Sequence, residues 1–207
     1  MGQFSNDQWP FDSPGARQLT VRKTVTYLHI RAIGAQATRG VLTCGSLTVP
    51  CALGRSGRNF LKKEGDGASP VGFWSLRRIY YRNDHLIRPP SKIPVSPIRG
   101  GWGWCETVGD RNYNRRVDLP YATAHEDLKR PDHLYDIVVE TSHNQRPRIQ
   151  GRGSAIFFHL ARENFAPTAG CIAVTLKDMR KVLRCCSTRT RLVIWPPSGA
   201  APHAFRK

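Results

Sequence analysis

The chain of 207 residues carries 32 Lys and Arg against 15 Asp and Glu, a formal charge of +17, with six cysteines. That length suffices to bury a core without disulfides or metals, and no apolar run reaches the about eighteen residues of a membrane helix. The charge favours polyanions without choosing among nucleic acid, anionic lipid and an acidic wall polymer; no zinc-finger spacing, basic zipper or RNA-recognition signature accompanies it, which argues against a dedicated nucleic-acid role.

In chain order, MGQFSNDQWPFDSPGA lacks the basic and apolar regions of a secretory signal. Residues 1–19 are read as a flexible N-terminal tail, 20–196 as one domain, and 197–207 as a C-terminal tail after the Pro-Pro at 196 and 197. Apolar or alternating segments predict strands at Thr24–Ile30, Val41–Leu53, Gly72–Tyr81, Tyr135–Glu140, Ala155–Leu160 and Arg191–Trp195. The intervening GRSGRNFLKKEGDGASPVG, RPPSKIPVSPIRGGWGW and SHNQRPRIQGRG read as turns and long loops within that domain. A weak helical pattern covers Ala122–Lys129. A stronger one starts near Thr175, where Thr175 and Asp178 make a capping pair and Leu176, Met179, Val182 and Leu183 share a face. The fold class is mainly β with a few short helices.

The cysteines are Cys44, Cys51, Cys105, Cys171, Cys185 and Cys186. None forms a C-x-x-C pair, and vicinal Cys185 and Cys186 are expected to point in different directions from a helix end, so no structural zinc site is predicted. Glu64 and Asp66, in a Gly-rich turn without defined separation, read as solvent-facing turn residues rather than a glycosidase pair.

The segment FFHLARENFAPTAGCIAV (157–174) places His159 and Cys171 near each other, with Thr168, Ala169 and Gly170 ahead of the sulfur. If a strand ends near His159 and a loop returns Cys171 just before the helix, imidazole and thiol can meet, and a nearby imidazole raises the thiolate fraction. Gly170, without a Cβ, allows a carbonyl substrate close approach, and the amides of Gly170 and Cys171 are candidate oxyanion donors. The competing reading is two ordinary core residues, since cysteine is among the most buried side chains; spacing alone leaves both open.

IFFHLARENFAPTAGCIAV closely resembles the active-site region of the L,D-transpeptidase (YkuD-like) catalytic domain, a strand His followed by Ser or Thr, a variable residue, Gly and Cys. CALGRSG, KKEGDGASPVGFWSLRRIYYR, GWGWCE, YNRRVDLPY, LYDIVVE and GRGSAIFFH look like further landmarks, so the resemblance covers about residues 20–196. It implies a β-sandwich-like domain with a helix after the nucleophile, and a bacterial enzyme of cell wall biogenesis and cell shape that crosslinks peptidoglycan stem peptides with release of D-alanine. Cys171 would be the nucleophile, His159 its base and Gly170 part of the oxyanion site. No metal or organic cofactor is implied, and carbapenem-type inhibitors are implied ligands. Many relatives carry a His at the position of Ala169 and a polar residue, often Arg, at that of Ala173. Candidate substrate-binding residues are therefore Thr168, Arg152, Arg162 and Trp102, with Arg58 a further replacement cation. The resemblance implies a periplasmic or envelope location, while the missing signal pattern leaves a cytoplasmic one open. Hydrolysis of the same acyl-enzyme, an L,D-carboxypeptidase, and a non-catalytic wall- or polyanion-binding module are the alternative functions.

Overall fold

A computed structural model describes residues 24–197. The expected tails at 1–19 and 197–207 lie outside the described residues, Pro197 excepted. The strands are β1 (Tyr27–Ala32), β2 (Arg39–Cys44), β3 (Leu47–Ala52), β4 (Arg58–Asn59), β5 (Ser69–Pro70), β6 (Gly72–Tyr81) and β7 (Val95–Pro97). There follow β8 (Trp102–Cys105), β9 (Arg116–Asp118), β10 (His125–Asp127), β11 (Ile137–Thr141), β12 (Phe157–Leu160), β13 (Ile172–Val174), helix α1 (Leu176–Leu183) and β14 (Arg191–Ile194). The main sheet runs β11-β12-β13-β3-β2-β1-β14-β6-β7, and β11 also pairs with β6, so the sheet closes into a barrel-like ring. Closure satisfies main-chain groups that an open edge would expose. Strand β6 permits it by length: Gly72–Ser75 pairs with β14, and Leu76–Tyr81 pairs with β11.

Two cores follow from the alternation of side chains along β11 and β12. Ile137, Val139, Phe158 and Leu160 face the ring interior and α1, whereas Val138 and Phe157 face a second core with Trp104, Tyr135 and Cys171. Strands covered on both faces read as continuous apolar runs, which is why FFHL and IAV show no alternation. The second core lies beneath a three-stranded sheet ordered β10-β8-β9.

That small sheet overturns the helix expected at Ala122–Lys129. His125–Asp127 instead pairs antiparallel with Gly103–Cys105. Gly103 leaves a gap that the His125 ring covers, since a Cβ there would lie 2.9 Å from His125 Cδ2. Pairing to a waiting strand edge outweighs weak helical propensity. The segment Val41–Leu53 is a hairpin rather than one strand, broken at Gly45, whose φ of 60° suits a turn. Helix α1 matches expectation: the Thr175 hydroxyl accepts from Asp178 N–H at 3.2 Å, and Met179, Val182 and Leu183 are fully buried.

Thr175→Ala removes this cap and is expected to cost about 1 kcal/mol, lowering Tm by about 2–4 °C; thermal unfolding followed by circular dichroism reads the shift.

Candidate active site

The turn that delivers Cys171 is built from main-chain contacts. Thr168 N–H donates to Leu53 O (2.9 Å) and Thr168 O accepts from Arg55 N–H (2.8 Å), pinning the turn to the chain after β3. Within the turn, Thr168 Oγ1 donates to Cys171 O (2.7 Å) and accepts from Gly170 N–H (3.1 Å). Gly170 has φ +139°, and a Cβ there would approach Ala68 O to 2.8 Å. The glycine is therefore required by the protein's own backbone, a sufficient reason without substrate approach.

Cys171 is 8% exposed. Its Sγ donates to Ala155 O (3.1 Å) and accepts from Phe157 N–H (3.3 Å). Ala155 has φ +48°, a conformation disfavoured for a residue with a Cβ. It is held there by Asn114, whose Oδ1 accepts from Ala155 N–H (3.2 Å) and from Trp104 Nε1–H (2.9 Å). The Asn114 amide donates to His143 O (3.1 Å) and Asn144 O (2.9 Å), so this buried side chain ties the small sheet to the loop bearing Ala155. Burial pushes the Cys171 thiol up to about 12 against the opposing effect of the Phe157 N–H. The resting sulfur is a protonated thiol.

His159 lies on the neighbouring parallel strand. Phe158 pairs with Ile172 and His159 with Ala173, so His159 and Cys171 share a face two register positions apart. Nδ1 lies 2.8 Å from Leu160 O, which can only accept, so Nδ1 carries the ring proton and Nε2 is left as an acceptor. Burial lowers the pKa to about 4. The two side chains form no hydrogen bond with each other; a neutral imidazole and a neutral thiol flank one cavity of about 450 Å³.

Much of the remaining lining of that cavity is charged, a feature the sequence reading missed. Glu64 accepts from the buried Tyr113 hydroxyl at 2.5 Å, so it is no solvent-facing turn residue. Burial, then the charges of Glu126 and Glu64, raises the Glu106 pKa. Glu126 pairs with Arg130, whose guanidinium lies 5.2 Å from the Tyr135 ring centroid. Lys62, 5% exposed, pairs with Asp66, and both help form the bend that carries Glu64. Asp66 is likewise not free in solvent: it accepts from the amides of Lys63 and Ala68 at 2.9 Å each.

Of the predicted substrate-binding residues, Thr168 and Arg162 line the cavity, as do Ala169 and Ala173. Arg162 is exposed, with its guanidinium 4.0 Å from Asp132. Arg152 and Trp102 lie outside it. The Arg152 carbonyl accepts from His143 Nε2 at 3.0 Å, and Trp102 packs under Arg116 and against Tyr80. Arg58 is occupied with main-chain carbonyls of Trp195 and Gly34.

Among the described residues, His85, His133 and Asp136 are close enough together to share a metal ion. Arg82, however, lies 2.9 Å from His85 Nε2 and can only donate, which fixes the His85 proton on Nδ1 facing Asp136 at 2.7 Å. A metal would need that same Nδ1 lone pair. The cluster is satisfied internally and braces the loop leading to Tyr135.

Residues 39–194 match the family model described as the L,D-transpeptidase catalytic domain (YkuD). The chain belongs to this family. No curated protein and no solved structure matches it. The match spans from β2 to β14 of this L,D-transpeptidase-family domain and so includes every strand of the ring except β1, the turn at 168–171 and all the cavity residues described above. Ala169 and Ala173 present small side chains to the cavity, whose lining cations are Arg55, Lys62, Arg130 and Arg162.

Two histidines of the domain are buried and neutral. Burial lowers both His143 and His159 to about 4 from 6.5. The unfolded chain binds these protons first, so the stability they contribute is present above pH 6.5 and is lost as pH falls toward 4. Between pH 7 and pH 5 each is expected to cost about 2 kcal/mol. Urea unfolding at the two pH values measures the loss, which His143→Gln should reduce by about that amount.

Proposed function

We propose that this protein is a peptidoglycan L,D-transpeptidase that acts in the cell envelope through a thioester on Cys171. The observation that carries the reading is one cavity lined by both Cys171 and His159, whose Nδ1 holds the ring proton and leaves Nε2 an acceptor, inside a domain of this family.

The donor stem places the carbonyl between the L-centre of diaminopimelate and terminal D-alanine over Sγ. As Sγ leaves Ala155 O and attacks, its proton passes to His159 Nε2. A thiol at about 12 and an imidazole at about 4 make proton transfer concerted with attack, because a preformed ion pair is unfavourable here. Of the two expected oxyanion donors, the Gly170 N–H is already engaged by Thr168, which leaves the Cys171 N–H for that role. The carbon–nitrogen bond then breaks, the D-alanine amine takes the proton from His159, and the acyl group remains on sulfur. An amine of a second stem attacks the thioester, gives a proton to His159, and restores the thiol. The mixed-charge wall suits stems that carry both carboxylates and an ammonium.

Intact mass after exposure to a carbapenem, with product analysis on tetrapeptide stems, tests the reading. Cys171→Ala is expected to abolish both the adduct and turnover, a loss of at least about 1,000-fold; unchanged turnover would overturn it. A crosslinked dimer marks transfer to an amine, whereas tripeptide alone would assign hydrolysis.

The pH profile of acylation provides a second check. His159 is expected to act as base throughout the neutral range, so the acid limb falls near its value of about 4. A limb near 6.5 would contradict the buried neutral imidazole.

A further inference from the structure

The small sheet brings to the cavity one carboxylate that has no partner of its own. Trp104 pairs with Glu126 and Cys105 with His125, and the Glu106 N–H donates to Ala124 O at 3.2 Å, so the antiparallel pairing runs one step past β8. Side chains alternate along a strand, which puts Trp104, Glu106, Ala124 and Glu126 on one face. Trp104 packs edge-on against Phe157, with 5.1 Å between ring centroids, while Glu106, Ala124 and Glu126 line the cavity shared by Cys171 and His159.

The cations of the lining already have partners. Arg130 holds Glu126 and Asp132, Lys62 pairs with Asp66, Arg162 lies 4.0 Å from Asp132, and Arg55 donates to Gly65 O at 3.4 Å. Glu64 accepts from the Tyr113 hydroxyl. Among the described residues, the half-buried Glu106 carboxylate has neither an ion pair nor a hydrogen bond. Burial and the charges of Glu126 and Glu64 raise its pKa against the pull of His125, as befits a carboxylate short of cations. A second group in the same lining also lacks a partner. Ser154 is 7% exposed and stands beside the Tyr113 hydroxyl, yet its buried Oγ makes no hydrogen bond of normal geometry. Leaving a buried hydroxyl and a half-buried carboxylate without partners is destabilising, and a polar ligand in the cavity relieves both.

We propose that Glu106 binds the side-chain ammonium of the donor stem's diaminopimelate and sets the preference for stems in which that amine is free. This rests on the transpeptidase reading above. Reaction order assigns the donor rather than the acceptor. The donor carbonyl has to lie on the Cys171 sulfur, so the rest of the same residue has to lie in the cavity around it. Its side-chain ammonium takes no part in the bond change and is best held charged, as a carboxylate holds it. The acceptor reacts through its amine, and a carboxylate would hinder it by stabilising the protonated, unreactive form.

The test follows D-alanine release by the full chain from two tetrapeptide stems, one with the side-chain amine free and one with it N-acetylated. Adduct formation with a β-lactam whose side chain carries no ammonium shows that the site is assembled. The wild type is expected to favour the free amine at least about tenfold in kcat/KM, chiefly through KM. Glu106→Gln should abolish that preference by raising KM for the free-amine stem, whereas a merely steric effect of the acetyl group would survive the substitution. Equal use of the two stems by the wild type overturns the proposal and leaves the transpeptidase reading standing. So does a preference kept by Glu106→Gln, or a loss confined to crosslinking with D-alanine release unchanged. If the wild type gives neither D-alanine nor the adduct, the transpeptidase reading fails and takes the proposal with it. Should Glu106→Gln not fold, Glu106→Ala is read in the same way.

Discussion

The site depends on one short main-chain bracket. Ala155 O and Phe157 N–H hold the sulfur of residue 171 between them, and Ala155 can serve only because Asn114 keeps it in a left-handed conformation. Asn114 is fixed in turn by Trp104 of the small sheet and by the carbonyls of 143 and 144. The position of the residue 171 sulfur is thus set by an asparagine four strands away in sequence. Because such polar networks are cooperative, loosening any member is felt at the residue 171 sulfur.

Much of the ring could be read directly from the sequence. Gly72–Tyr81 matched a strand residue for residue, and Thr175, Asp178 and the Met179 face announced α1, because these signals are local. His159 and Cys171 were also legible, though only their surrounding motif lifted them above ordinary buried residues. What escaped detection depends on long-range partners. The strands β8 and β10 are recognisable only once paired, since WGWC and HED carry neither strict alternation nor length. Lys62 and Glu64 of one bend, Glu106 after β8 and Glu126 of β10 reach one cavity from separate parts of the chain, and nothing in their individual neighbourhoods distinguishes them from surface charges. Their one sequence cue was the Gly-rich KKEGDG bend, which reads equally well as a solvated turn.

Electrostatically the domain is divided. The chain is strongly basic as a whole, yet three carboxylates line the same cavity as Cys171. The cavity's local field therefore differs in sign pattern from that of the surface as a whole. Keeping His159 and Cys171 uncharged at rest avoids the desolvation cost of a buried ion pair. It also leaves the resting sulfur a poor nucleophile toward adventitious reagents.

The parallel pairing of β1 with β14, Tyr27 beside Arg191 and Ile30 beside Ile194, has a geometric corollary for how the domain is mounted. The chain enters at the end where Val25 meets Cys185 and departs past Trp195, at the other end of the same strand pair. The described chain thus enters and leaves this strand pair at opposite ends, so the two strands each carry the backbone once along the length of the ring rather than doubling back on it.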